Sequence, residues 1–390
     1  MHYSRPARAL VRGLAAPLAL GGLFGGLAAG LGPAAAVSAA VCQVQGSPQP
    51  VSPPKGGVLS GVAVISSCDV WAVGVTDAQA LIEHFDGTAW KVVPGPKNLT
   101  AALGGVSAVS TSNVYAVGSS VQGTDRFPLI LHWDGQAWTQ QSISGPVPDG
   151  ELSGVKVVSA TDIWAVGSAD VPGTNRRQPL ILHFNGSSWT STPVPQVAGV
   201  SNDVVLDAVS GTSSHDAWAV GNVFNFFTQG HDLPFILHWN GFRWTRVPLS
   251  VSPRGAGLRG VTATAPNDAW AVGFTGSTTG QTLILHWNGR NWIPVPSPSP
   301  GGPANDAFLT GVIATSRFGA FAVGQFDTSD GRDGLLLRWN GFGWRQVPTA
   351  NPELRTQLSG VDADSARDVW AVGSTESNNT PTIPFAVHGF

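Results

Sequence analysis

Charged side chains are sparse in this 390-residue sequence: Asp, Glu, Lys and Arg make up 12% of it and leave a formal net charge of −3. Without a basic face the chain has no electrostatic footprint for nucleic acid, and no nucleic-acid partner is expected. Apolar runs of spanning length are missing after the first forty residues, so no later segment is expected to cross a membrane. A 3.6-residue apolar period is missing throughout, which argues against helices. Cysteine is limited to Cys42 and Cys68, and tyrosine to Tyr3 and Tyr115. Glycine (49 residues) and proline (29) are abundant but lack the collagen period. With 42% apolar residues recurring in order, disorder is a poor reading, and the composition suits many short strands and turns.

The first forty residues differ from the rest. Arg5, Arg8 and Arg12 precede an acid-free apolar stretch from Leu14 to Leu31, followed by small residues up to Ala40. This order reads as a secretory signal peptide, residues 1–40, with an uncleaved anchor as the alternative. The expected location is secreted or extracellular, with cell-surface association open. Disulfides persist in that compartment, so Cys42 and Cys68 are expected to pair.

Residues 41–390 repeat. A hairpin motif occurs as IEHFDGTAW (82–90), ILHWDGQAW (130–138), ILHFNGSSW (181–189), ILHWNGFRW (236–244), ILHWNGRNW (284–292) and LLRWNGFGW (336–344). Upstream of each hairpin lies a W-A-V-G-like strand whose aromatic falls at 71, 115, 164, 218, 270, 321 and 370, a spacing suited to propeller blades. An L-x-G-V-like segment opens each unit, from Leu59, Leu103, Leu152, Leu206, Leu258, Leu309 and Leu358. Four short strands per unit, seven times over, predict an all-β fold: a seven-bladed β-propeller of four-stranded antiparallel blades. A solenoid is the runner-up, but it needs capping repeats. The last unit stops at Phe390 without its fourth strand, whereas VCQVQGSPQP (41–50) resembles one. The N-terminal segment is therefore expected to complete the last blade and close the ring.

All fifteen tryptophans occupy repeat slots, so they are read as packing between blades rather than as sugar platforms. A two-residue Asn-Gly turn would set Trp287 opposite Arg290 and Leu285 opposite Trp292. The histidines at 84, 132, 183, 238, 286 and 388 share one slot, one per blade, and cannot converge on a metal. The Asp or Asn at 69, 113, 162, 216, 268 and 368 reads as a turn residue bonding its own hairpin's backbone. DTSDGRDG (327–334) has acidic spacing but lacks the EF-hand register, so no metal site and no cofactor is assigned.

The D/N-G-x-x-W hairpins and W-A-V-G strands, residues 59–390, resemble degenerate BNR or Asp-box repeats and the repeats of photosystem II stability and assembly factor-type propellers. They are also similar to secreted bacterial WAVG-repeat proteins. These resemblances imply the fold and no particular activity. A sialidase-like site would need a tyrosine nucleophile, and a copper-radical site a tyrosine with a cysteine; Tyr115 fills a repeat slot and the cysteines are expected to be paired.

Departures from the repeat are the better guide to function. The longest insertion, NVFNFFTQGHDLPF (222–235), carries Phe224, Phe226, Phe227, His231 and Asp232, and the matching loop one unit earlier carries Arg176 and Arg177. Aromatic loop residues outside a core pattern suggest a contact surface. The favoured expectation is a monomeric, non-enzymatic binding module whose loop face recognises an extracellular protein, glycan or cell-wall component. The alternative is an extracellular carbohydrate-active hydrolase or lyase using loop carboxylates.

Overall fold

The computed structural model describes residues 42, 47, 49–51, 56–77, 79–146, 149–174, 176–195, 203–224, 232–249, 255–276, 279–349, 355–376 and 381–389. The segment read as a leader, residues 1–40, lies outside them. Among the described residues all regular structure is β, and no helix is long and apolar enough to cross a membrane.

Each building unit is an antiparallel meander. In the first, strands Val58–Ser66, Asp69–Thr76, Gln79–Phe85 and Trp90–Val92 pair in chain order. The L-x-G-V, W-A-V-G and I-L-H-W motifs thus fall on first, second and third strands, and a three-residue fourth strand starts at the hairpin tryptophan. The second strand is buried on both faces from Val70 to Gly74, which is why its sequence runs apolar without alternation. Two additions depart from the four-strand plan: Ile143–Ser144 pairs in parallel with Trp189–Ser191, and a single Arg332–Arg355 bridge joins the last two units.

The first strand is bulged. Leu59 pairs with Gly74 and Gly61 with Val73, so Ser60 has no partner across the ladder. The same slip recurs at Gly104, Ser153, Asp207, Arg259, Thr310 and Ser359. It brings the Val58 carbonyl so close to Gly74 that a Cβ there would overlap it, which explains the glycine ending W-A-V-G. Gly-Val pairs from six first strands and Ala208-Val209 from the fourth unit, with several of the bulged residues, line a cavity of about 170 Å³.

The hairpin tryptophans meet differently from the two-residue-turn expectation. Trp287 pairs directly with Trp292, and Leu285 with Pro294, because the turn holds four residues, Asn288 to Asn291. The Asn288 side chain closes it, accepting the backbone N–H groups of Arg290 and Asn291 at 3.0 Å each. That bond rewards the wider turn. The Asp residues of the W-A-V-G hairpins also depart from expectation: instead of bonding their own turn's backbone, they reach the histidine of the third strand, as in His183 Nε2 to Asp162 (2.7 Å) and His238 Nε2 to Asp216 (2.8 Å). The histidine ring stacks on the W-A-V-G aromatic, 4.0 Å between centroids for Trp164 and His183. In the sixth unit all three partners change together, to Gly319, Arg338 and Phe321, with the Arg338 guanidinium 5.5 Å above the Phe321 ring.

Between units the aromatics interlock. Trp71 contacts Trp133 and Trp138 of the second unit, Trp218 contacts Trp287 and Trp292, and Trp270 contacts Trp339 and Trp344. Trp370 of the last unit meets Phe85 and Trp90 of the first at 5.1 and 5.6 Å. Each such pair is worth about 0.5–1.5 kcal/mol beyond its burial.

The described N-terminal residues bridge the same pair of units. Cys42 and Cys68 form a disulfide, Cα atoms 5.5 Å apart, beside the Gly87 turn. Ser47 Oγ accepts the N–H of His388 (3.0 Å), and Gln49 donates to the Ala386 carbonyl (2.9 Å) while accepting its N–H (3.2 Å). Val51 N–H donates to Glu83 (3.0 Å), a buried carboxylate in the slot where the hairpins of the second to fifth units have leucine.

Candidate binding face

The start of the first strand, the end of the second and the start of the third meet on one face of every unit, since Val58 pairs with Val75 and Thr76 with Gln79. Loops between second and third strands stand on this loop face. Its polar residues group in three places.

The first group is an ion-pair cluster. Glu151, opening the third unit, takes Arg126 Nη1 of the second unit at 2.5 Å and Arg177 Nη1 at 2.7 Å. Burial works against its charge, but the two guanidinium groups outweigh burial and hold its pKa below the ordinary glutamate value. The Arg177 backbone N–H donates to Asp203 (3.0 Å). Arg177 is therefore committed to internal partners, whereas the Arg176 side chain is exposed.

The second group surrounds the axial cavity. Asp207 and Arg259 occupy the bulges of the fourth and fifth units. Burial raises the pKa of Asp207 to about 6 against the opposing pull of Arg259 and of Asn222, whose amide donates to it at 2.7 Å. Asn222 also clasps the next unit, accepting from Leu258 N (2.9 Å) and donating to Leu258 O (3.2 Å). Asp232 is likewise raised by burial, with Arg259 opposing. The Arg259 guanidinium lies 5.7 Å from the Phe274 ring centroid, and with Phe308, Thr310 and Gln325 these residues line a pocket of about 300 Å³. Phe274 and Phe308 meet edge to face at 5.9 Å. Such a pocket pairs an aromatic wall with a cation and two hydrogen-bonding side chains.

The third is a polar cleft of about 540 Å³ between the last two units, with Asp327, Arg332, Arg355 and Glu376 on its walls. Arg332 Nε donates to Asp327 at 3.1 Å, so that acidic run is tied to its own arginine.

Of the residues singled out in the insertion, Phe226, Phe227 and His231 lie outside the described residues. Phe224 closes the second strand, paired with Asp203 and half-buried, and the third strand resumes at Leu233 beside Asp232, so the insertion is shorter than the sequence suggests. Asp207, Arg259, Phe274 and Phe308 were not singled out. Aligning the repeats slot by slot would have found the first two, the charged residues among bulge positions that are otherwise Ser, Thr or Gly.

No protein-family profile and no curated protein sequence matches the chain. Solved structures do. YCF48 bound to D1 peptide is similar at 14% identity and a TM-score of 0.55 over 87% of this chain and 96% of that one. A polysaccharide lyase of family PL25, an ulvan lyase, is similar at 10% identity and 0.56 over 88% and 94%. The WD40 β-propeller domain of Doa1 is similar at 13% and 0.51 over 88% and 97%. At these identities the likeness bears on fold alone, and that fold is a β-propeller.

Proposed function

We propose that the chain is an exported, seven-bladed propeller, its ring closed by the N-terminal segment, that works as a non-enzymatic binding module through its loop face. Closure is supported by the Trp370 contacts with Phe85 and Trp90 and by the bonds of Ser47 and Gln49 to the last strand. The disulfide and the leader-like first forty residues support export. The observation that carries the binding role is the pocket of Arg259, Phe274, Phe308 and Gln325, which offers contact surface beside the insertion that ends at Asp232. The partner is an exported protein, a glycan or a wall component, in keeping with the peptide and polysaccharide named for two of the neighbours. Asp232 and the exposed Arg176 extend the same surface, and Phe226, Phe227 and His231, proposed with them from the sequence, lie outside the described residues.

The test is capture of cell-wall glycans and exported proteins by the secreted protein and by its Arg259→Ala/Phe274→Ser variant. Loss of capture with an unchanged unfolding transition supports the reading; equal capture by both refutes it. A second reading, a carbohydrate lyase or hydrolase, rests on Asp207, a carboxylate that shares the wall of the first-strand cavity with Arg259 and whose pKa burial raises to about 6. Release of new reducing or unsaturated ends from extracellular polysaccharides, abolished in Asp207→Asn, would select it.

A further inference from the structure

Opposite the loop face lies a turn face, made of the first-to-second and third-to-fourth turns. In the first six units the two turns touch: the glycine of the latter packs on a residue of the former, as Gly241 on His215, Gly289 on Asn267 and Gly341 on Phe318. In the first two units the tips open with Asp86 and Asp134, whose carboxylates accept N–H groups of their own turns. From the fourth unit to the sixth the character changes. The tips read Asn240-Gly241-Phe242-Arg243, Asn288-Gly289-Arg290-Asn291 and Asn340-Gly341-Phe342-Gly343. Phe242 is 86% exposed, Phe342 95% and Phe318 68%.

Cations flank these rings. Arg243 and Arg290 are exposed, Arg317 lies 5.5 Å from the Phe318 centroid, and Arg338 stands in a histidine slot whose carboxylate has become Gly319. Among the described residues, the acids of the sixth unit, Asp306, Asp327, Asp330 and Asp333, sit at the loop-face end of its strands. Turn-face carboxylates of the fourth, fifth and seventh units include Asp216, held by His238, Asp268, held by His286, Asp368, held by His388, and Asp364.

We propose that this arc of tips docks on an anionic lipid surface, with Phe242, Phe318 and Phe342 entering the headgroup boundary and Arg243, Arg290 and Arg317 pairing with lipid phosphates. The rings stand exposed on turns, and the cavities described above are lined by other residues. A bilayer surface needs no socket: it deforms around apolar tips and supplies anionic groups to the flanking guanidinium groups. Phenylalanine has no polar edge with which to orient a sugar hydroxyl, which sets these tips apart from a glycan platform. The proposal is independent of the loop-face reading.

The experiment is co-sedimentation of the secreted protein with vesicles of equal parts phosphatidylglycerol and phosphatidylcholine, and with phosphatidylcholine alone, at 0.1 M salt. Any residual leader would affect wild type and variants alike, so the comparison between them isolates the tips. Binding to the anionic vesicles is expected to fall about tenfold for each phenylalanine removed, in Phe242→Ser and in the double variant Phe242→Ser/Phe342→Ser. It is also expected to weaken with rising salt and in Arg290→Glu, and to stay unchanged in Val121→Ser, an exposed apolar residue of the loop face. A native tryptophan emission spectrum checks that each variant is folded. Equal partitioning by wild type and the double variant, or no binding to anionic vesicles, overturns the proposal. Capture of a soluble protein through Phe242 and Phe342 without vesicle binding also overturns it and assigns the arc to that protein.

Discussion

Asp362 of the last unit accepts the backbone N–H of Val64 in the first at 2.9 Å, across 298 positions of sequence. Ser107 does the same for Val157 at 3.1 Å and Ser210 for Ala263 at 3.0 Å, so the bond is a recurrent clasp from one unit's first strand to the next. Removal from water raises the Asp362 pKa, with Lys156 opposing. Asp362→Ala leaves the Val64 N–H without its acceptor and is expected to cost about 1–3 kcal/mol in denaturant unfolding. Asp362→Ser, which retains an acceptor without the charge, is expected to cost less. Equal losses in the two variants would show that the clasp contributes nothing.

Glu83 makes stability depend on pH. Burial raises its pKa to about 7, against the opposing Val51 N–H bond. Since the folded value lies above the unfolded one, near 4.5, the contribution is fully present below pH 4.5 and is lost as pH rises towards 7, about 3 kcal/mol in all. Asp207, Asp232, Asp362 and Asp364, also raised, act with the same sign, so the variant difference is the quantity to read. Glu83→Leu, the residue of the matching slot in the second to fifth units, is expected to flatten melting temperature against pH between 4.5 and 7. An unchanged slope would exclude Glu83 as the source.

Reduction of the Cys42–Cys68 bond opens a loop of 26 residues and is expected to lower stability by about 3 kcal/mol in the chain-entropy picture. Melting with and without reductant measures this directly. Cys42→Ser/Cys68→Ser should melt at the reduced temperature under both conditions. Peptide mapping that found free thiols at both positions would contradict the bond itself.

The sixth unit allows a coupling measurement. Restoring both members of the pair, Gly319→Asp with Arg338→His, is expected to show about 1 kcal/mol of favourable interaction in a double-mutant cycle, because each single change leaves half of a hydrogen bond. Additive effects would mean that the pairs elsewhere, such as His84 with Asp69 at 2.8 Å, are incidental to stability.

The repeat architecture was legible because each motif records a local constraint that recurs. The W-A-V-G glycine answers the bulged first strand opposite it, and the hairpin tryptophan answers the third-strand aromatic across the ladder. Trp287 facing Trp292 was not legible: dipeptide rules assign Asn-Gly to a two-residue turn, whereas here the Asn288 side chain stabilises four. Nor was the reach of Asp162 to His183, since it spans two strands and the separation of 21 residues carries no local signal. The candidate site was less legible still. Asp207, Arg259, Phe274 and Phe308 come from three units and are neighbours only once the first strands gather, while Phe224, prominent in the sequence, turns out to end a strand.

The bulge behind each Leu-x-Gly also governs how such a molecule can diversify. The leucine and the facing glycine are fixed by contact, but the residue between them stands outside the ladder. Ser60, Gly104, Ser153, Asp207, Arg259, Thr310 and Ser359 accordingly differ from copy to copy, limited by the bonds that some of them make, such as Thr310 Oγ to the Leu358 carbonyl at 2.7 Å. Five of these varied positions, Ser153, Asp207, Arg259, Thr310 and Ser359, line the cavity where the first strands gather, while the leucine and valine on either side recur in every copy.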